Sequence, residues 1–224
     1  MLEAARSNGL ECCIIRLGQL AGDSVAGAWA LNDWVPSIIA SSVSAGYLPD
    51  AVGSISWTPL DVIGKATLEI VLNRKAALPP FVHCSHPRPI KWSLAMSMFS
   101  WAIQFLTGGQ VLPIVPLREW NDRVKCLISA SKEDEAGLFK SFPTAKIQST
   151  IDEMVHANER LLTRRKGDVE DAMESIEAGG TVRLDTTQGV RLSPSLKNVR
   201  SLGEQDVRRW VDYWKAHELF ASHF

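Results

Sequence analysis

Arg16, Gly18, Gln19 and Gly22 fall within RLGQLAG, at the end of the apolar run Cys12–Leu17. That run holds adjacent Ile14 and Ile15 and reads as a short, buried strand of parallel type. The carboxyl end of such a strand is where open α/β sheets receive ligands. Glycine at that point lets backbone come close to a flat ring. The competing reading is a plain strand-to-loop turn with Arg16 in a structural ion pair. Trp29 and Trp34 follow the turn. They either wall a pocket or fill core, as tryptophans usually do.

Other side chains invite chemistry and meet obstacles. Asp61, after Trp57, Thr58 and Pro59, reads as a helix cap or buried hydrogen-bond anchor rather than a catalytic carboxylate. Gly22-Asp23-Ser24 has the form of a serine-esterase block. An active serine needs a histidine oriented by an acid, and neither a G-x-S-x-G setting nor an Asp-x-x-His is present. His83, Cys84 and His86 are potential zinc ligands, but a closed site needs four and strand neighbours point to opposite faces. No G-x-G-x-x-G or G-x-x-G-x-x-G occurs, and the residues four after Tyr47 and Tyr213 are Ala51 and His217, so there is no Tyr-x-x-x-Lys pair.

The elements that must position these residues alternate. Helical turns to Ser7 stop at Asn8-Gly9, and the strand Cys12–Leu17 follows. Helix is expected over Asn32–Ser44 with an interruption near Pro36, from Pro59 to about Leu72, from Lys91 to Leu106, and from Leu117 to Ser129. Strands are expected at Ser54–Trp57, Phe81–Cys84 and Val111–Val115. From Ser131 onward the pattern is mostly helical, with loops at Gly167 and Gly179-Gly180. Ser201-x-x-Glu204 suggests a capping box for a last helix whose apolar face is Val207, Trp210, Val211 and Trp214. The fold class is therefore α/β.

Composition narrows the partners. The 224 residues are 46% hydrophobic and 22% charged with net charge −1, which suits a core-forming globular chain and gives no electrostatic case for nucleic acid or a membrane surface. Residues 1–117 hold 7 basic and 7 acidic groups; residues 118–224 hold the remaining 17 and 18. The uncharged run Trp92–Leu117 is long enough to raise the question of a membrane span. Ser93, Ser97, Ser100 and Gln104 recur at helical spacing and argue for a polar stripe instead. Cys12, Cys13, Cys84 and Cys126 form no C-x-x-C and read as buried or half-buried thiols of a reducing, cytoplasmic compartment. No secretory signal pattern stands at the start.

The chain resembles the thioester reductase domain of adenylate-forming and nonribosomal peptide synthetase-like reductases, which are extended short-chain dehydrogenase/reductases. The resemblance runs in order through Arg16, Gly18, Gln19 and Gly22; Gly27, Trp29, Trp34 and Pro36; Gly46, Leu48 and Pro49; and Ile55, Trp57, Pro59 and Asp61. It continues through His83, Pro87 and Trp92; Val115, Pro116 and Trp120; Ser193, Pro194, Ser195 and Leu196; and Trp210 and Trp214. Ala30 stands where the family usually has Asn.

The resemblance implies the C-terminal half of such a domain: a partial Rossmann-type parallel sheet, far strands only, over residues 1–130, and a helical substrate-side subdomain over 131–224. MLEAARSNGLE would be the tail of the helix that carries the family's catalytic Tyr and Lys. The implied cofactor is NADP(H), with Leu17 and Gly18 beside the nicotinamide, held weakly by this chain alone. Gln19, Trp29 and Trp34 would face the substrate, an acyl thioester on a phosphopantetheinylated carrier domain. The basic run Arg160, Arg164, Arg165 and Lys166 is either a solvated helix face or a dock for an acidic carrier. A missing N-terminal half-domain is a further implied partner, because the innermost strand would keep an unpaired edge. No catalytic residue falls within the chain, which is expected to be inactive alone. The alternative is a non-catalytic interaction module that binds a carrier or a partner half.

Overall fold

The structure is a computed structural model that describes residues 2–72, 78–163 and 176–220. Two compact units interleave along the chain. The first is Met1–Ser24, Ser56–Pro89 and Arg183–Ser201; the second is Val25–Ile55, Ile90–Val182 and Leu202–Phe224. The expected boundary after residue 130 lies inside the second unit.

The first unit contains α1 (Leu2–Ser7), β1 (Ile14–Leu17), β2 (Leu20–Ala21), β5 (Thr58–Pro59), α3 (Leu60–Val71), β6 (Phe81–Cys84), α8 (Thr187–Leu192) and α9 (Pro194–Asn198). β1 runs parallel to β6 with Leu17 opposite Cys84, and β2 runs parallel to β5 with Leu20 opposite Thr58. Ile63, Ala66 and Ile70 make one face of α3 and meet Val82 and Cys84, the alternating inward residues of β6. Leu192 and Leu196 complete this core, and Cys13, Ile15 and Leu20 pack at its margin.

The second unit holds α2 (Trp34–Ala45), β3 (Leu48–Asp50), β4 (Ser54–Ile55), β7 (Ile90–Lys91), α4 (Trp92–Ile103), β8 (Ile114–Pro116), α5 (Leu117–Ala130), α6 (Glu135–Ser141), α7 (Gln148–Leu162) and α10 (Glu204–Ala216). β3 and β8 pair in parallel and β4 and β7 antiparallel. Helix α10 lays Val207, Trp210, Val211 and Trp214, all buried, against α4. Phe99 of α4 stacks on Trp214 at 5.9 Å between ring centroids. The buried indole of Trp120 donates to Ser42 Oγ at 3.0 Å, and that of Trp92 to Pro49 O at 2.9 Å.

The α/β class stands, with corrections in detail. The expected sheet is divided, among the described residues, into four two-stranded ladders. The Cys12–Leu17 strand is shorter and less buried than its apolar run suggests: Ile14 and Ile15 are half-buried, Arg16 and Leu17 exposed. The expected Ser54–Trp57 strand is limited to β4 at Ser54–Ile55; Ser56 and Trp57 separate it from β5, which belongs to a different ladder. Pro36 does not interrupt α2, because it stands in the first turn, where its missing N–H deprives no carbonyl of a partner. The last helix is capped at Gly203, whose N–H donates to Asp206 Oδ2 at 3.0 Å, rather than through Ser201 and Glu204. Ser100 leaves the expected polar stripe: it is buried and donates to Leu112 O at 2.8 Å, while Leu94, Trp101 and Phe105 are exposed. No described helix is long and apolar enough to cross a membrane. Cys126 is exposed, not buried.

Candidate functional site

In the first unit, β1 delivers Leu17, Gly18 and Gln19 together to its carboxyl end. Leu17 is 44% exposed. Gly18 directs its N–H toward Cys84 O at 3.5 Å. A Cβ added at Gly18 would stand 2.7 Å from Ser85 Cβ and 3.3 Å from Ser85 Cα, so this approach of two strand ends requires glycine. Gln19 turns its amide back to donate to Leu20 O at 2.8 Å, and its own carbonyl accepts from Thr58 N at 2.9 Å. Ser56 O accepts from His86 N at 3.1 Å. Ser56, Gly18 and Ser85 thus close one wall at the ends of β1 and β6.

Ser85 Oγ is buried and has no hydrogen-bond partner among the described residues. Such a hydroxyl costs about 1–3 kcal/mol. Sequence reasoning passed over Ser85. The available signal was a polar Ser-His-Pro following an apolar strand, at the carboxyl end of a parallel pair.

The loop leaving this strand end is tied down by Asp61, which confirms the anchoring reading of that carboxylate. Asp61 accepts from Ser24 N at 2.9 Å and from Ser24 Oγ at 2.8 Å, and Lys65 lies 3.8 Å away. The hydroxyl of the Gly22-Asp23-Ser24 block thus engages a carboxylate. His83 Nδ1 lies 3.1 Å from Asp185 O. His86 Nδ1 accepts from Arg88 N at 3.0 Å, so its proton is on Nε2, which donates to Arg200 O at 3.0 Å. Cys84 is in the core, where burial first, and Cys13 second, push its thiol up to about 11.

Glu69 makes a second clasp in this unit. Its carboxylate accepts from Ser193 Oγ at 2.5 Å, Ser195 Oγ at 2.7 Å and Ser195 N at 3.1 Å. Ser193 also caps α9 by accepting from Leu196 N at 3.0 Å. Burial opposes ionisation of Glu69, but the hydrogen bonds from Ser193 and Ser195, with the charge of Lys65, hold its carboxyl below the usual range. A lowered folded-state pKa stabilises the fold above the unfolded-state value and ceases to do so as pH falls through the folded one. Glu69→Gln should therefore lower stability at neutral pH by about 2 kcal/mol. It should also flatten the loss of stability on acidification below the usual carboxylate range, as followed by urea melts at several pH values.

In the second unit, Asp33 joins the two tryptophans. One carboxylate oxygen accepts from the Trp29 indole N–H at 2.9 Å; the other caps α2 by accepting from Trp34 N at 2.7 Å. Trp29 is 5% exposed and meets Trp210 edge-on at 4.9 Å, so of the two readings the core-filling one describes it. Trp34 is half-buried and stacks on Trp92 at 6.1 Å. Of the basic run, Arg160 is exposed near the end of α7, whereas Arg164, Arg165 and Lys166 lie outside the described residues.

Comparison with known proteins decides what this arrangement belongs to. The NAD_binding_4 family model, described as male sterility protein, matches residues 1–67. The adenylate-forming reductase Nps11 of Serpula lacrymans var. lacrymans is 31% identical over 217 residues, covering 95% of this chain and 18% of that protein. Nps10 of Heterobasidion annosum is 30% identical over 230 residues, covering 99% of this chain and 19% of its own length. The chain belongs to the thioester reductase domain family of adenylate-forming and nonribosomal peptide synthetase-like reductases. The fold agrees: the terminal R domain of the myxalamid pathway superposes at TM-score 0.64 with 16% identity, over 96% of this chain and 47% of that one. A thiolation-reductase di-domain from an archaeal synthetase gives 0.60 with 17% identity, over 97% and 39%. The chain thus spans about a fifth of the curated relatives and under half of these solved chains.

Proposed function

We propose that this chain forms the C-terminal part of an NAD(P)H-dependent reductase that releases carrier-bound acyl thioesters as aldehydes. The observation that carries the reading is the strand end at Leu17 and Gly18, pressed onto Ser85, in a chain related to adenylate-forming reductases. In this reading the backbone of Leu17 and Gly18 flanks the nicotinamide of NADP(H), and Gln19 lies toward the thioester. Trp34 contacts the acyl or phosphopantetheine arm, and Trp29 supports it through Asp33. Hydride passes to the thioester carbonyl carbon, and the hemithioacetal collapses to an aldehyde and a free thiol. In reductases of this kind a Tyr assisted by a Lys protonates the oxygen, and this sequence holds no Tyr-x-x-x-Lys pair. The similarity to a thiolation-reductase di-domain supports a carrier domain as the partner that presents the substrate.

The purified chain, given NADPH and an acyl-phosphopantetheine thioester, should consume no NADPH at 340 nm. A chimera in which it replaces the matching segment of the Serpula Nps11 reductase should consume NADPH and release aldehyde. Turnover by the chain alone contradicts the claim of inactivity; a folded, silent chimera contradicts the reductase assignment.

A further inference from the structure

Leu17 and Cys84 are the last paired residues of β1 and β6, so Gly18 and Ser85 are the first residues beyond the two strand ends. Ser85 is 4% exposed, and its Oγ has no hydrogen-bond partner among the described residues. Native chains keep few buried hydroxyls in that state, and each calls for a cause. The polar groups around it are turned elsewhere. Gly18 directs its N–H to Cys84 O, Ser56 O takes the N–H of His86, and the Gln19 amide turns back to Leu20 O. Glycine keeps the serine in this place. Ser85 Cβ lies 2.7 Å from where a Cβ on Gly18 would stand, so any larger residue at 18 would push Ser85 aside. Gly18 thus does two things: it lets backbone approach a flat ring, and it makes room for a hydroxyl beside that approach.

We propose that the Ser85 hydroxyl is a cofactor-binding group that hydrogen-bonds the carboxamide of the nicotinamide ring. The assignment rests on the reductase reading above, in which Gly18 flanks that ring. A serine hydroxyl donates one hydrogen bond and accepts others, and a primary carboxamide carries an acceptor and two donors on one planar group. A thioester carbonyl only accepts, so it would answer half of what the hydroxyl offers. Turning χ1 from one staggered position to another moves Oγ and leaves the backbone in place, so Ser85 can leave its buried position for the ring without disturbing β6. The free chain bears the cost of an unanswered hydroxyl, and the bound chain recovers it. Local rules are broken in this way at functional sites, where a ligand supplies the compensation. A carboxamide held by Ser85 also keeps the ring from rotating, so that one face stays turned toward the substrate.

Ser85→Ala separates this role from a structural one, because stability and affinity should move in different directions. In the full chain the variant loses a hydroxyl that nothing answers, so its urea midpoint should not fall below that of the wild type. In the Serpula Nps11 chimera, titration of NADPH fluorescence should give a Kd about fivefold higher for the variant. Competition by 2′-phospho-ADP-ribose, which is the cofactor without its nicotinamide, should be equal for both proteins. A lower urea midpoint overturns the assignment, since the hydroxyl then holds the fold together. Equal NADPH affinities overturn it, as does an equal loss of affinity for both ligands. A chimera that binds NADPH but reduces no thioester contradicts the reductase reading, and the two affinities still judge Ser85. A wild-type chimera that binds no NADPH overturns both.

Discussion

Gly27→Ala should destabilise the second unit by about 3–5 kcal/mol, enough to unfold a marginal domain. Gly27 has φ +72°, a region that L-residues enter at a cost. A Cβ there would lie 2.3 Å from Arg209 O and 2.4 Å from Arg209 C, in the backbone of α10. A side chain tip can swing aside; a helix backbone cannot do so without dragging Trp210 with it. Urea denaturation followed by tryptophan fluorescence measures the effect, since seven of the eight tryptophans lie in this unit, Trp57 alone being in the other. A midpoint within error of the wild type would mean that the turn at Gly27 is not held against α10.

Trp210→Ala should cost about 3–5 kcal/mol. Trp210 is 1% exposed, meets Trp29 edge-on at 4.9 Å and lies 6.1 Å from Phe99. Truncation opens a cavity beside Trp29, whose indole N–H holds Asp33 in place as the cap of α2. Trp210→Phe keeps part of the volume and should recover about half the loss. The same melts check both variants, and near-UV circular dichroism should record a loosened environment for Trp29.

These two residues show what could be read in the chain before its fold. The last helix was legible because Val207, Trp210, Val211 and Trp214 fall on one face at helical spacing, and Phe81–Cys84 because a short apolar run alternates its inward residues. The close approach at the end of β1 was legible from a glycine following an apolar strand, since Gly18 there lies against Ser85. Contacts between distant segments were not. Nothing near Trp29 announces that Trp210 covers it, so wall and core remained equal until both rings were placed. Ser201 and Glu204 have the spacing of a capping box, yet Asp206 reaches the Gly203 N–H and starts the helix two residues later. Pro36 read as a break because a proline's effect depends on which turn it occupies, and a sequence leaves the first turn uncertain by a residue or two. Ser85 carried no periodic signal; its significance lies in a missing partner, which only coordinates reveal.

The clasp between Glu69 and the Ser193–Ser195 turn also governs when the first unit can be completed. Its partners are 124 residues apart for Ser193 and 126 for Ser195. The segment Arg183–Ser201 is synthesised after Val25–Ile55 and Ile90–Val182 of the second unit. A nascent chain therefore holds β1, β6 and α3 ready while the ribosome is still making the residues that roof them. Non-local closure of this kind slows folding and prolongs exposure of the half-built core. A stop codon anywhere before Ser193 would leave that carboxylate and its apolar neighbours permanently without their cover, so C-terminal truncations should be cleared as misfolded protein rather than accumulate as smaller, working domains.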